Sequence, residues 1–574
     1  MAIRLVTISY LLLCLCMTSI AQTPARYDII IDELLPDPSP VIGLPNAEFI
    51  ELRNISSVPY NMQGWKISNH SNTAVIKSNF ILQPDSFLLI CSSSAINDYS
   101  TFGSAIAVPG FPSLNNDGDT ISLRSPEGST IHAVVYNKSS YQNEIKSNGG
   151  WSLEMIDIKN PCSSFNNWKA STADRGGTPG TKNSVDGTNA DRQLPALLRT
   201  YTIDSITIIA VFDEPLDSTS AAMVSNYQFE NAIGNPVAAK PLPPLFSEVQ
   251  LTLPAKIRAN EVYHLTTDNV TDCTGNIIGM MNTAKAGMPV TADTMDIVLN
   301  EILFNPNTNG YDYVEFHNRS NKIIDMKQLY VANRTATRAF NNVTQLSSLS
   351  FLFFPGEYYV ITENSQSLNQ NYLVKDPDKI LELSSLPSLP DDHGNIVLLN
   401  HFGNIVDELE YDHKWHFGLI DNEAGVALER IDYDKATQNR NNWTSAASTA
   451  GYGTPGYQNS QFKTGEQAKS AITITPKIFS PDNDGYDDYC FISYGVPEPG
   501  YIANITIFDA AGRPVRYLAK NAILGLNGNF RWDGLNDNQK ALSMGIYVVL
   551  TEIFNLNGYT KKFKSVVTIA KKMN

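Results

Sequence analysis

What this sequence lacks narrows its chemistry before any motif is read. Cysteine is scarce, six in 574 residues. No Gly-x-Ser-x-Gly, His-Glu-x-x-His, phosphate-binding loop or dinucleotide fingerprint stands where its strand or helix context would let it work. Positive charge is short as well: 42 Lys and Arg face 58 Asp and Glu, a formal charge of -16. The basic residues are scattered except near the C-terminal end. Phosphate backbones are held by clustered Lys and Arg, so a nucleic-acid partner is not expected. Beyond the first residues there is no long stretch of helical periodicity. No apolar run there approaches the roughly 20 residues a membrane-spanning helix needs.

The opening residues are the exception. Met1 and Arg4 precede an apolar run through Leu11, Leu12, Leu13, Cys14, Leu15 and Cys16, which closes at Ser19-Ile20-Ala21. A single positive charge, a short apolar core and small residues at the end describe a signal peptide, cleaved after Ala21. Both Cys14 and Cys16 follow leucine, whereas a lipid-anchored cysteine follows a small residue, so lipidation is not expected. Losing Arg4 makes the mature chain one unit more acidic. With 42% hydrophobic residues the length suggests roughly three to five domains, each able to bury its own core.

The chain repeats itself. Ile31-Asp32-Glu33-Leu34-Leu35 and Pro36-Asp37-Pro38 recur as Leu299-Asn300-Glu301-Ile302-Leu303 and Phe304-Asn305-Pro306. Glu48 to Asn54 recurs as Asp312 to Asn318, and Pro112-Ser113-Leu114 as Pro387-Ser388-Leu389. Leu153-Glu154, Asn167-Trp168 and Gly177-Thr178-Pro179-Gly180 return as Leu428-Glu429, Asn442-Trp443 and Gly453-Thr454-Pro455-Gly456. Order and spacing hold over about 150 residues, which chance does not sustain. Between these anchors, apolar and polar residues alternate, as in Val249, Leu251 and Leu253 or Ile121 and Leu123. Turns such as Asn116-Asp117-Gly118 and Asn557-Gly558 punctuate them. Short strands at that spacing predict an all-β chain of tandem immunoglobulin-like β-sandwich domains.

Those recurring residues carry a resemblance. The Glu-Phe-Ile-Glu-Leu-Arg-Asn strand, Gly64-Trp65, the Asn-Trp pair and the closing Thr-Pro-Gly resemble the lamin-tail domain, an immunoglobulin-like sandwich that secreted bacterial proteins also carry. The second copy departs from it at Gln328-Leu329. Between the copies, Ile206 to Phe212, Asp213-Glu214-Pro215-Leu216-Asp217 and Asp272 with Gly275-Asn276 resemble bacterial Ig-like domains of exported and surface-layer proteins. Toward the end, Phe479 to Asp488, Ile505 to Asp509, Trp532-Asp533-Gly534 and Gly545-Ile546-Tyr547 resemble the FlgD-like, gliding-motility-associated C-terminal domains. That last resemblance implies a sorting signal for type IX secretion. The expected layout is therefore a signal peptide over 1–21, a lamin-tail-like domain over 22–187 and a bacterial Ig-like domain over 193–290. A second lamin-tail-like domain over 296–461 and a C-terminal Ig-like domain over 470–574 follow.

Candidate chemistry is thin. Glu33 with Glu51, and Glu301 with Glu315, recur in both copies and have the makings of an acid–base pair or a cation site. No histidine, nucleophile or glycine-rich loop accompanies them, so a structural role meeting backbone donors is the favoured reading. Asp482, Asp484 and Asp488 around Gly485 present hard oxygen ligands in one turn, a possible calcium loop. The EF-type spacing is incomplete, and a solvated Asx-rich turn is favoured over it. No other cofactor is expected. His413 and His416 flank Trp415 in a polar loop, where a surface segment is preferred to a metal site, and Trp415 is the one tryptophan whose setting leaves ligand stacking open. The other tryptophans read as core anchors. Of Cys91, Cys162, Cys273 and Cys490, three pairings are open. Cys91 and Cys162 are both absent from the second copy, at Thr362 and Thr437, which suggests a Cys91–Cys162 disulfide, with free thiols equally compatible.

The sequence thus predicts a non-catalytic protein, secreted or held at the cell surface, associated with the outer membrane of a Gram-negative bacterium. Its partners would be extracellular protein or polysaccharide, with the secretion machinery met through the C-terminal domain. A hydrolase with a loop-borne site and a structural envelope or gliding component are the alternatives.

Overall fold

A computed structural model describes residues 23–162, 166–230, 233–420, 422–463 and 470–570, so the expected signal peptide lies outside the described residues. The chain divides into two compact units, one of Met1–Arg199, Thr207–Pro254 and His264–Ala284, the other of Thr200–Ile206, Ala255–Tyr263 and Lys285–Asn574. The described α-helices are the short Ile96–Tyr99, Ser218–Ala221 and Ser365–Asn371. Everything else of length is strand, and the chain is an all-β series of immunoglobulin-like sandwiches.

In the first unit, a six-stranded sheet runs in the order Trp168–Ala170, Leu153–Met155, Ile29–Leu35, Phe49–Asn54, Phe87–Cys91, Ala105–Ala107. A four-stranded sheet, Thr130–Asn137, Gly118–Arg124, Lys66–Ser68 and Thr73–Val75, completes the sandwich. Ile29, Ile31, Ile50, Leu52, Trp65, Ile67, Ile121, Leu123 and Trp168 share one core. All seven residues of Ile29–Leu35 are buried. The reason is a second, smaller core of Leu35, Leu44, Phe49, Leu89 and Tyr99 on the sheet's other face, which makes the strand read as a nearly continuous apolar run. The last edge pair, Phe87–Cys91 with Ala105–Ala107, is parallel, its crossover containing helix Ile96–Tyr99.

The second unit repeats this plan. Its six-stranded sheet runs Ile380–Glu382, Tyr358–Thr362, Tyr313–Asn318, Ile297–Leu303, Leu428–Arg430, Trp443–Ser445. Its partner sheet runs Phe340–Gln345, Leu329–Arg334, His393–Asn400, Ile405–Asp412. Leu329 is buried where the first copy has Trp65, so the departure at Gln328-Leu329 replaces one core side chain by a smaller one. The C-terminal module, in the same unit, has a five-stranded sheet and a three-stranded sheet around Trp532, Ile505, Ile507 and Val549. Phe417 of the second copy packs with Ile502 and Ile523 of that module.

The segment following the first copy belongs largely to the first unit. Strand Glu248–Thr252 lies antiparallel between Thr207–Phe212 and Ala238–Leu242, with Val249 and Leu251 buried and Glu248, Gln250 and Thr252 partly open, which is the alternation of a half-buried sheet.

The cysteine pairing differs from the expectation. Cys162 is bonded to Cys273, with Cα atoms 6.1 Å apart, and Cys91 and Cys490 are free and buried. Cys91 sits on the fifth strand of the six-stranded sheet, while Cys162 lies in the connection between the first two. Adjacent strands are about 4.8 Å apart, so that separation exceeds the roughly 7 Å limit for a disulfide. The residues at the matching positions of the second copy make unrelated contacts. Thr362 donates its hydroxyl to the Asp312 carbonyl, and Thr437 bridges a buried ion pair described below.

Candidate functional site

The feature common to both copies is a row of three glutamates. In each, the strand register slips at one residue, between Ile31 and Glu33 and between Leu299 and Glu301. After this bulge, Glu33 stands directly opposite both Glu51 and Glu154, and Glu301 opposite both Glu315 and Glu429. All six are fully buried. Like charges face to face on neighbouring strands oppose pairing, so what covers them matters.

The cover is the Gly-Thr-Pro-Gly loop. Glu33 accepts the Thr178 N–H at 2.8 Å and the Ser152 hydroxyl at 2.5 Å, and Glu51 accepts the Gly180 N–H at 2.5 Å. Glu154 accepts the Ser184 hydroxyl at 2.8 Å and the Val185 N–H at 3.1 Å. In the second copy Glu301 accepts the Thr454 N–H at 2.9 Å and the Tyr313 hydroxyl, and Glu315 the Gly456 N–H at 2.5 Å. Glu429 accepts the Ser460 hydroxyl and the Gln461 N–H, both at 2.8 Å. Glycine is required at the loop's ends. A Cβ on Gly177 would lie 2.7 Å from a Glu33 oxygen, and Gly180 and Gly456 adopt φ of 80° and 85°, where a side chain is strained.

The row holds protons. Thr454 Oγ1 lies 2.5 Å from Glu301 and 2.9 Å from Glu429, and one hydroxyl proton cannot serve both, so a carboxyl must donate to one contact. Burial first, then the Glu154 charge, pushes Glu33 up to about 8; burial and Glu429 do the same to Glu301. Glu51 and Glu315 are raised well above the carboxylate range for the same two causes, burial and the neighbouring glutamate.

Asp32, at the bulge, has neither carboxylate oxygen bonded to a donor, and Glu51 Oε1 lacks one as well. The second copy explains both. Its residue there is Asn300, whose amide donates to Glu315 Oε1 at 2.6 Å. Burial pushes Asp32 up to about 7, toward the neutral acid, the one form of this side chain that can donate a hydrogen bond as the Asn300 amide does.

A second position is also solved twice. His132 receives the Ile31 N–H on Nδ1 at 2.8 Å and donates from Nε2 to the Pro161 carbonyl at 2.9 Å, and burial lowers it to about 4, a neutral ring. In the second copy Asp407 receives the Leu299 N–H at 2.8 Å. Arg430, which replaces Met155, sits 3.6 Å from it with both buried. Thr437 connects the two, donating to Asp407 at 2.6 Å and accepting from Arg430 at 2.8 Å.

The residues singled out for metal do come together. One oxygen from each of Asp482, Asp484 and Asp488 lies within 4.8 Å of the others. Asp488 Oδ2 accepts the Gly485 N–H at 2.9 Å and Asp484 Oδ1 the Tyr486 N–H at 2.9 Å, as an Asx turn does, while Asp488 Oδ1 is buried without a donor. The arrangement serves both readings. His413 and His416 do not converge: His413 meets Glu423 at 3.3 Å, and the buried His416 meets Ser445 at 2.8 Å. Trp415 is half-buried against the second copy's core, so the stacking reading left open for it finds no freely exposed ring. Trp65, Trp168, Trp443 and Trp532 are core residues, whereas Trp151, also read as a core anchor, is half-buried with the Lys146 ammonium 3.8 Å from its ring centre. Glu154 and Glu429 completed the rows without being anticipated, although their recurrence in both copies was a usable signal. A further acidic group at Asp191, Glu214 and Asp272 was not read as one cluster, since its members are far apart in sequence.

The fold and these rows define a chain of tandem immunoglobulin-like sandwiches whose recurring polar residues are internal. The family model described as Lamin Tail Domain matches residues 22–138 and 290–413, so these two segments of the chain, one in each copy, are similar to lamin-tail domains. No curated protein matches the chain. Among solved structures, CopC from Methylosinus trichosporium OB3b is 18% identical, covering 18% of this chain and 98% of its own, with a TM-score of 0.14. The N-terminal part of the bacterial S-layer protein SbsC is 15% identical over 28% of this chain and 44% of its own, with a TM-score of 0.16. A DUF4876 family protein from Bacteroides thetaiotaomicron VPI-5482 is 12% identical over 42% and 87%, with a TM-score of 0.15. At these scores the likenesses carry no argument about function. No described helix is long and apolar enough to cross a membrane.

Proposed function

We propose that this is a non-catalytic exported protein whose lamin-tail modules serve as spacer and recognition surfaces at the cell surface, and whose C-terminal module directs secretion or attachment. The supporting observation is the fate of the repeated carboxylates. In both copies the glutamates that have the makings of a reaction centre are buried and engaged by the Gly-Thr-Pro-Gly loop, which leaves them no path to a substrate. Extracellular protein or polysaccharide is the partner class, bound through loops at the sandwich ends. The type IX sorting role rests on the sequence resemblance of residues 470–574.

The sorting role is tested by fractionating cells that express the full chain and a chain ending at Lys463, which keeps Ser460 and Gln461 on Glu429. The full chain is expected at the surface or in the medium, and the shorter one inside the envelope. Equal delivery of both defeats the sorting role. A hydrolase screen of the purified chain, with Glu51→Ala and Glu315→Ala as controls, is expected to be silent; turnover abolished by either variant defeats the non-catalytic reading.

A further inference from the structure

Three carboxylates remote from one another in sequence meet in the first unit. Asp191 comes from the stretch leaving the first lamin-tail module, Glu214 from the turn after strand Thr207–Phe212, and Asp272 from the turn that carries Cys273. One oxygen of each lies within 4.8 Å of the other two. Asp272 is held in place: its Oδ1 accepts the N–H groups of Thr274, Gly275 and Asn276 at 2.8, 2.7 and 2.9 Å, and its Oδ2 accepts the Asn276 amide at 2.8 Å.

Glu214 is the side chain these contacts leave unexplained. It is 8% exposed, and its Oε1 is buried and receives no donor. A buried carboxylate beside two others and without a partner is costly. Neighbouring Asp213 is occupied otherwise, accepting the Ala196 N–H at 2.7 Å. Burial and the charges of Asp191, Asp213 and Asp272 push Glu214 up to about 8, the direction expected of a cluster short of positive charge.

The spacing suits a hard cation. Oxygen ligands sit about 2.3–2.6 Å from Ca2+, so any two on one ion are at most about 5 Å apart, as these oxygens are. We propose that Asp191, Glu214 and Asp272 bind a Ca2+ ion, fastening the linker that leaves the first lamin-tail module to the module that follows. The neighbouring Cys162–Cys273 bond and the Arg26 guanidinium, which donates to the Leu216 carbonyl at 2.8 Å, tie the same two parts together. The ion thus acts at a joint already held covalently, and its effect is to stiffen the linker. Water completes the coordination, and three protein carboxylates give the modest affinity of extracellular sites, about 10⁻⁴ to 10⁻³ M.

The test uses the full chain carrying Asp482→Asn, Asp484→Asn and Asp488→Asn, which removes the C-terminal acidic loop from the reading. It is titrated calorimetrically with Ca2+ and digested with trypsin in EGTA or in millimolar CaCl2. Arg192 is exposed and adjoins Asp191, so cleavage there reports on the linker itself. A single Ca2+ per chain and slower cleavage at Arg192 are expected. Adding Glu214→Gln should weaken binding at least about tenfold and abolish the protection. Its thermal transition in EGTA should match or exceed the parent's, because glutamine keeps the shape and removes a like charge. Asp191→Asn, at a half-exposed position, gives the same readings should the glutamine variant not fold. Absence of Ca2+ uptake in the parent, or uptake and protection unchanged in both variants, overturns the site.

Discussion

At the scale of single residues, the two copies act as an internal mutation experiment. Where one has Asp32 the other has Asn300, and the amide makes a bond to Glu315 that the acid can make to Glu51 only when protonated. Asp32→Asn should therefore stabilise the first module. Asp32 stands near 7 when folded, against an ordinary value of 3.8. A raised folded value means its contribution is fully present below the ordinary value and is lost as pH climbs through 7. The variant's advantage in thermal unfolding should accordingly widen from pH 6 to pH 8.5, reaching about 1–3 kcal/mol, the cost of an unsatisfied buried group. An advantage independent of pH argues against a protonated Asp32. Glu33 and Glu301, near 8 when folded against an ordinary 4.5, share the sign, so their contribution should be lost as pH rises from about 4.5 through 8. His132 works on the acid side: its folded value near 4 lies below the ordinary 6.5, so its contribution is present above 6.5 and lost as pH falls toward 4.

At the scale of elements, the bulge and the Gly-Thr-Pro-Gly loop are one device. The bulge sets three glutamates abreast, and the loop supplies the N–H groups that make the row tolerable. Thr178→Val keeps the shape but removes the hydroxyl lying 2.9 Å from Glu154 and 3.4 Å from Glu33. A loss of about 1–3 kcal/mol in denaturant unfolding is expected, and no loss would mean the loop merely rests on the sheet. The disulfide is a second element-level device, since it closes a separation of 111 residues. Peptide mapping without reductant should recover Cys162 joined to Cys273, with Cys91 and Cys490 unlabelled by thiol reagents until the protein is unfolded. Cys273→Ser should cost about 2–5 kcal/mol.

At the scale of the whole molecule, the second lamin-tail copy and the C-terminal module belong to one compact unit. Phe417 is covered by Ile502 and Ile523, and the Gln461 amide donates to the Leu524 carbonyl at 3.1 Å. A chain ending at Lys463 should thus leave the second copy less stable by about 1.5–3 kcal/mol, the value of uncovering one large apolar side chain. Thermal unfolding of the two chains measures this, and equal transitions would mean that the contact contributes nothing.

The sequence by itself determined the repeat, the all-β sandwich class and four of the five tryptophans read as core, because alternation and turn chemistry are local and are written twice in this chain. It also brought Asp482, Asp484 and Asp488 into view, since they share one turn. Tertiary structure alone decided that Cys162 joins Cys273, that a third glutamate completes each row, and that Asp191, Glu214 and Asp272 converge. In each of these, the partners lie on elements remote in sequence, and which strands are neighbours in a sheet is fixed by packing between the two faces of a sandwich, to which residue spacing along the chain is blind.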